Sequence, residues 1–71
     1  MTRKAVEKHY IVYEKALAIF TDRNRTESAQ YNDMQRYLGD AVREGAISKR
    51  DRFEIIAEIL DVIWGPLEMR D

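Results

Sequence analysis

The residues with the most potential for chemistry lie around one glycine. Within the stretch REGAISKRDRFE, residues 43–54, Gly45 is flanked by acidic side chains. A twelve-residue calcium loop with Gly45 at its sixth position would begin at Asp40 and end at Asp51. Its third position would be Val42, which has no side-chain oxygen, and its last position normally carries a bidentate glutamate. The sequence therefore argues against a calcium site here.

The same stretch has the approximate spacing of a DNA-reading helix-turn-helix. In that register, acidic residues would fill the positions that pack the two helices together: Asp40, Glu44, Asp51 and Glu54. The second helix would also turn carboxylates toward the phosphate backbone, which is repulsive. Lys49, Arg50 and Arg52 could contact phosphate only at the start of that helix, and Asp51 lies among them. DNA reading through this motif is not favoured.

A plain bend between two helices accounts for the stretch best. Gly45 suits the left-handed conformation that closes a helix, and Ile47 would fill the apex of the bend. Ser48 and Asp51 have the spacing of a capping box. The run Gly45-Ala46-Ile47-Ser48 resembles the G-x-I-[ST] corner of short C-terminal oligomerisation hairpins, although Phe53 comes one place later than in that corner. The resemblance implies a helical hairpin that associates with other chains.

The other candidates for catalysis or metal binding lack the further ligands or catalytic groups that such a site needs. His9 is the only histidine, and no second ligand stands at helical spacing from it, so we expect a packed histidine. Glu54, Glu58 and Asp61 share a helix face, which is typical of a solvated surface. The chain has no glycine-rich phosphate loop, no G-x-S-x-G motif and no cysteine. We therefore predict no catalytic residue, no metal ligand, no cofactor and no enzyme activity.

The polar segment TDRNRTES, residues 21–28, is a second candidate site. Arg23 and Arg25 precede a helix N-terminus, where unpaired N–H groups and the helix dipole attract anions. These arginines could contact nucleic acid, a phosphorylated small molecule or an acidic protein patch; the sequence favours the alternative, a solvated loop in which they pair with Asp22 and Glu27. Further candidate anion or partner contacts are Tyr37, Lys49 and Arg50.

The elements that must position these residues are helices. Apolar residues recur at helical spacing throughout, and the pattern predicts helices over about 2–21, 27–44 and 48–64. The predicted core rows are Val6, Tyr10, Tyr13, Leu17 and Phe20; Tyr31, Met34, Leu38, Ala41 and Gly45; and Phe53, Ile56, Leu60, Ile63 and Trp64. Thr26 or Ser28 would cap the second helix, and Gly65 with Pro66 would end the third.

The first and third predicted helices carry more apolar surface than one core row needs. On the third helix, apolar residues cover roughly half the circumference, which is wider than the stripe of an ordinary surface helix. We predict that the surplus forms a self-association interface; the alternative is that the second helix and residues 66–71 cover it. The predicted interface residues are Ile11, Val12, Ile19, Ile55, Ile59 and Val62.

Length and composition limit the classes of function. A chain of 71 residues forms one domain, 1–71, and a domain of this size buries only about 60% of its unfolded surface. The net charge of −1 lacks the basic surplus typical of nucleic-acid binders. No apolar run suits a membrane span or a secretory signal, so we expect a cytoplasmic protein without membrane contact.

Together these features predict an all-α fold, a three-helix bundle or a helical hairpin with an additional helix, dimerising through its first and third helices. The predicted function is a small, non-enzymatic interaction module that regulates or inhibits a partner protein by occlusion. Its partners would be a second copy of itself and another protein. In its small size, charge and lack of cysteine it resembles phage and mobile-element accessory proteins. The alternative function is the anion binder that uses Arg23 and Arg25.

Overall fold

The computed structural model describes residues 4–65 and is helical over most of that range, with no strand. In chain order the helices are α1 (Lys4–Lys8), α2 (Tyr10–Phe20), α3 (Glu27–Arg43) and α4 (Lys49–Trp64). The predicted all-α class is confirmed, and α3 and α4 agree with the predicted 27–44 and 48–64 to within one residue at each end. The predicted helix start near residue 2 and the shielding role of residues 66–71 lie outside the described residues. Among residues 4–65, no helix combines the length and the apolar character that crossing a bilayer requires.

The first predicted helix is divided, which the sequence did not indicate. His9 leaves the helical conformation, with φ −123° and ψ 47°, and separates α1 from α2. Its backbone bonds to Ala5 and Tyr13 remain, at 2.9 and 3.0 Å, so the chain bends there without unwinding. The bend lets α1 pack mainly against α4 while α2 packs mainly against α3. One straight helix could not follow both neighbours.

The turn between α3 and α4 is the predicted bend. Gly45 has φ +81°, the left-handed conformation that a glycine adopts without strain. The N–H of Ala46 donates to the carbonyl of Ala41 at 2.9 Å, and the N–H of Gly45 donates to the carbonyl of Val42 at 3.0 Å. This pair of bonds is the Schellman motif, which satisfies the last carbonyl groups of α3. Ile47 is buried beneath the turn, as predicted.

The start of α4 is held by the predicted capping box. The backbone N–H of Asp51 donates to Ser48 Oγ at 3.0 Å, and the backbone N–H of Ser48 donates to Asp51 Oδ2 at 3.1 Å. The same carboxylate oxygen lies 3.1 Å from His9 Nε2. Asp51 therefore links the bend between α1 and α2 to the first turn of α4, and His9 is the packed histidine that we expected.

The core is centred on side chains from α2, α3 and α4. Met34 and Leu38 of α3 are fully buried, as are Ile55 and Ile59 of α4 and Ala16 of α2. Burying an aliphatic side chain of this size stabilises the fold by roughly 1.5–3 kcal/mol. The predicted core row of α3 is confirmed at Met34, Leu38 and Ala41.

The predicted core row of α4 is wrong at Phe53, Ile63 and Trp64, whereas Ile56 of that row is partly buried and packs against the core. Phe53 is 72% exposed, Trp64 is 58% exposed and Ile63 is 41% exposed, whereas Ile55 and Ile59 are completely buried. Successive residues of a helix are separated by about 100° around its axis, so α4 is rotated by roughly one residue from the predicted orientation. Apolar residues surround so much of this helix that their periodicity alone does not select the buried edge.

Truncating a side chain to alanine should affect stability very differently on the buried and on the exposed edge of α4. Ile59→Ala should lower the free energy of unfolding by about 2–5 kcal/mol, because it leaves a cavity in a filled core. Phe53→Ala should change it by less than about 0.5 kcal/mol, because that ring is mostly in water. Urea denaturation followed by circular dichroism measures both values. Equal losses for the two variants would contradict the orientation of α4.

The capping box also predicts a dependence of stability on pH. The pKa of Asp51 is lowered from its ordinary value, chiefly by the backbone N–H of Ser48; burial opposes this, and the Ser48 side chain and His9 each lower the pKa further by smaller amounts. Because the folded-state pKa lies below the unfolded value, this carboxylate stabilises the fold above about pH 4, and that contribution is lost as the pH falls through the folded-state pKa.

Asp51→Asn should therefore be less stable than the wild type at pH 7, and the difference should shrink as the pH falls toward 2.5. Thermal unfolding across this range measures the effect, with Glu44→Gln as a control carboxylate in the neighbouring turn. A difference between wild type and Asp51→Asn that stays constant with pH would show that the charge of Asp51 contributes nothing.

Candidate functional site

A row of apolar side chains on α4 faces away from the core. Phe53, Ala57, Leu60 and Trp64, here called the outer stripe, are spaced by 4, 3 and 4 residues and so follow one line along the helix. Phe53 and Trp64 at its ends are mostly exposed, and Ala57 and Leu60 between them are half-buried. The outer stripe is a second apolar face, which the packing of α4 on the other helices leaves in contact with water.

A depression adjoins one end of the outer stripe. It has a volume of about 400 Å³ and is lined by Phe20, Glu27, Gln30, Tyr31, Ile63 and Trp64. We call it the aromatic groove. The rings of Phe20 and Trp64 meet edge to face, with centroids 6.3 Å apart and an angle of 68° between their planes. The groove therefore joins the last residue of α2, the first turns of α3 and the last turn of α4.

The loop between α2 and α3 positions one wall of the aromatic groove. Thr26 caps α3, its hydroxyl accepting a hydrogen bond from the N–H of Ala29 at 3.1 Å, as predicted. Gln30 Nε2 donates to the carbonyl oxygen of Asp22 at 2.6 Å, which ties the loop to the second turn of α3. These bonds hold the loop against the start of α3, the part of the helix that carries Glu27 and Tyr31.

The two arginines of this loop differ in their interactions with neighbouring residues. Arg25 forms an ion pair with Asp22 and a second one with Asp33, Nε to Oδ2 at 3.0 Å. Arg23 is exposed and forms no hydrogen bond or ion pair within residues 4–65. Two carboxylates already neutralise Arg25, so an added anion would have to compete with both of them. This pairing favours a structural role for Arg25, although its acidic partners are Asp22 and Asp33 and not Glu27.

The other predicted anion contacts lie elsewhere. Lys49 and Arg50 are exposed in the first turn of α4, where Arg50 Nε is 3.8 Å from Glu54 Oε2. They are separated from Arg25 by the length of α3, which is about 25 Å for its 17 residues. Tyr37 is half-buried against the core, and burial, followed by the charge of Glu44, raises its pKa. The structure does not gather these residues into one basic surface.

The predicted self-association residues are likewise divided. Ile55 and Ile59 belong to the core of the single chain, and pairing through them would require that core to open. Val12 and Ile19 are partly buried and pack against the same core. Ile11 is 69% exposed and Val62 is 54% exposed. A surface for a second chain therefore has to use other side chains than the two isoleucines of α4.

Sequence reasoning did not recognise the residues that form the aromatic groove. The apolar spacing places Phe20, Tyr31 and Trp64 in core rows; Phe20 is partly buried and packs against the core, but Tyr31 is 49% exposed and Trp64 is 58% exposed. For Glu27 the sequence indicates only an ion pair with the loop arginines. The available signal was the width of the apolar surface on α4, which indicated an uncovered face without showing which edge it would occupy.

Comparison of this chain with known protein families, with characterised proteins and with solved structures finds no match.

The pairing of Arg25 predicts different effects for the two loop arginines. Arg25→Ala should lower the free energy of unfolding by about 0.2–1 kcal/mol, the range for partly exposed ion pairs. Arg23→Ala should have no measurable effect, since it removes no bond within the described residues. Urea denaturation at low and high salt measures both, and added salt should reduce the Arg25 effect. A larger loss for Arg23→Ala would contradict this placement.

Proposed function

We propose that this chain is a small, non-enzymatic protein-interaction module that regulates or inhibits a partner protein by covering part of its surface. The observation that supports this proposal is the outer stripe of α4, which exposes Phe53 and Trp64 along a single helical line. Aromatic side chains, tryptophan above all, are common anchors of protein interfaces. Removing such a side chain from water contributes roughly 1.5–3 kcal/mol. The proposed setting is the cytoplasm, where a chain without cysteine has no need of an oxidising compartment.

The arrangement of the outer stripe suits binding of α4 in a groove of the partner. Side chains at positions i, i+4, i+7 and i+11 are the usual anchors of a helix that lies in an apolar groove. The opposite edge of α4 is held in the core by Ile55 and Ile59, and its first turn is held by the capping box. A helix that is already ordered loses little entropy on binding, which favours affinity. Inhibition would follow because the bound helix blocks the partner's own contacts.

A second copy of the chain is another candidate occupant of the outer stripe. The spacing of 4, 3 and 4 residues is the same in both directions along α4. Two antiparallel copies of α4 would therefore set Phe53 against Trp64 and Ala57 against Leu60, with a small residue opposite a large one. Such a two-fold contact is self-complementary. This proposal moves the homodimer interface from Ile55 and Ile59 to the outer stripe.

The outer stripe is tested by charging one of its exposed ends. Phe53→Glu should abolish self-association and partner binding, because it places a carboxylate in an apolar contact, and it should leave the fold intact. Ile11→Glu is the matched control, since Ile11 on α2 is 69% exposed and Phe53 is 72% exposed. Light scattering over a concentration series measures association, and circular dichroism measures the fold. A dimer that survives Phe53→Glu would contradict pairing through the outer stripe.

If the wild type is a monomer at all concentrations, binding to a different protein is tested instead. A photo-crosslinking amino acid is introduced at position 53 or, as the control, at position 11. We expect one defined protein to be crosslinked from position 53 and not from position 11, and Leu60→Asp should remove that product. Identical products from both positions, or none from either, would contradict the proposed function.

A further inference from the structure

The aromatic groove has a composition that an apolar contact alone does not require. Three aromatic rings, from Phe20, Tyr31 and Trp64, share its lining with the carboxylate of Glu27. No lysine or arginine from the described range lines it, and Glu27 forms no ion pair within residues 4–65. The groove therefore brings three aromatic side chains and an acidic side chain together at one place on the surface.

Such a combination favours a cation. The π-face of an aromatic ring attracts a cation within about 6 Å of its centroid, and tryptophan does so most strongly. Glu27 adds a carboxylate, which lies in the first turn of α3. Arginine suits both features, because its planar guanidinium stacks on rings and donates paired hydrogen bonds to a carboxylate.

We propose that the aromatic groove binds an arginine side chain of the partner protein, stacked on Trp64 and Tyr31 and paired with Glu27. This inference rests on the proposed function, to which it adds the chemistry of one partner residue. Trp64 belongs to both the groove and the outer stripe, so an arginine bound here would lie beside a helix or strand bound along the stripe. The partner segment would carry apolar residues followed by arginine.

Trp64 is the only tryptophan, so its fluorescence reports occupation of the groove directly. The full chain is titrated with N-acetyl-arginine amide and, separately, with the citrulline analogue, which has the same shape without the charge. Ionic strength is kept constant with sodium chloride. We expect saturable binding of the arginine compound in about the millimolar range and binding of the citrulline analogue that is weaker by roughly 5-fold or more.

Variants assign this binding to the groove. Tyr31→Leu and Glu27→Gln should each weaken binding of the arginine compound by roughly 2- to 5-fold, the effect expected for one partly exposed cation contact. Phe53→Leu removes an aromatic ring outside the groove and should not change it. Thermal unfolding of each variant, together with the NMR shift of the Trp64 indole N–H, separates loss of binding from loss of fold.

Three results would overturn the proposal: a fluorescence change that does not saturate, equal binding of the citrulline analogue, or tighter binding of tetramethylammonium, which would assign the groove to quaternary ammonium ligands. These outcomes are independent of the outer stripe, because the titration needs no partner protein. If the arginine compound fails while Phe53→Glu still disrupts association, the interaction module stands without this arginine contact. If the arginine compound binds while Phe53→Glu has no effect, the groove stands and the outer stripe does not.

Discussion

The rotation of α4 about its own axis decides which surface the rest of the molecule presents. Ile55 and Ile59 enter the same core as Met34 and Leu38 and are completely removed from water. With that edge buried, the opposite edge necessarily faces outward, and it carries Phe53 and a row of apolar side chains. If the outer face of α4 were polar, no apolar surface would remain once the opposite edge was buried. On α4 the same rotation that completes the core also exposes a candidate interface.

Local bonds at the helix ends hold this orientation in a chain too small to rely on its core alone. The capping box fixes the first turn of α4, and His9 connects that turn to the bend between α1 and α2. At the other end of α4, Gly65 has φ +80° and its N–H donates to the carbonyl of Asp61 at 2.8 Å. Arg52 Nη2 also donates to Gln35 Oε1 at 2.6 Å and so joins α4 to α3. A helix restrained in this way suits recognition by shape.

The aromatic groove depends on the convergence of three helices. Its rings come from α2, α3 and α4, and the α2–α3 loop brings the first turns of α3 into place beside them. The ion pairs of Arg25 stabilise that loop, so the positive charge of Arg25 is already neutralised by neighbouring carboxylates. The groove and the outer stripe share Trp64, and for that reason a partner bound along α4 would also cover the groove.

The helices themselves could be predicted from the sequence because their signals are local. Thr26, Gly45 and the Ser48–Asp51 pair act on neighbouring backbone groups, and the structure shows each in its predicted role. The apolar spacing likewise indicated helices over most of the chain and the buried row of α3. These features need no information about distant residues.

The packing of the helices was decided only by the tertiary structure. The bend at His9 arises because α1 and α2 pack on different neighbours. The spacing of the apolar residues within 4–20 does not predict this bend. The buried edge of α4 was mispredicted because Ile55 and Phe53 are both apolar and periodicity ranks neither above the other. The aromatic groove joins residues that are far apart in the chain. A sequence pattern indicates which faces of a single helix are apolar. Which of several apolar faces is buried depends on how all the helices fill one core.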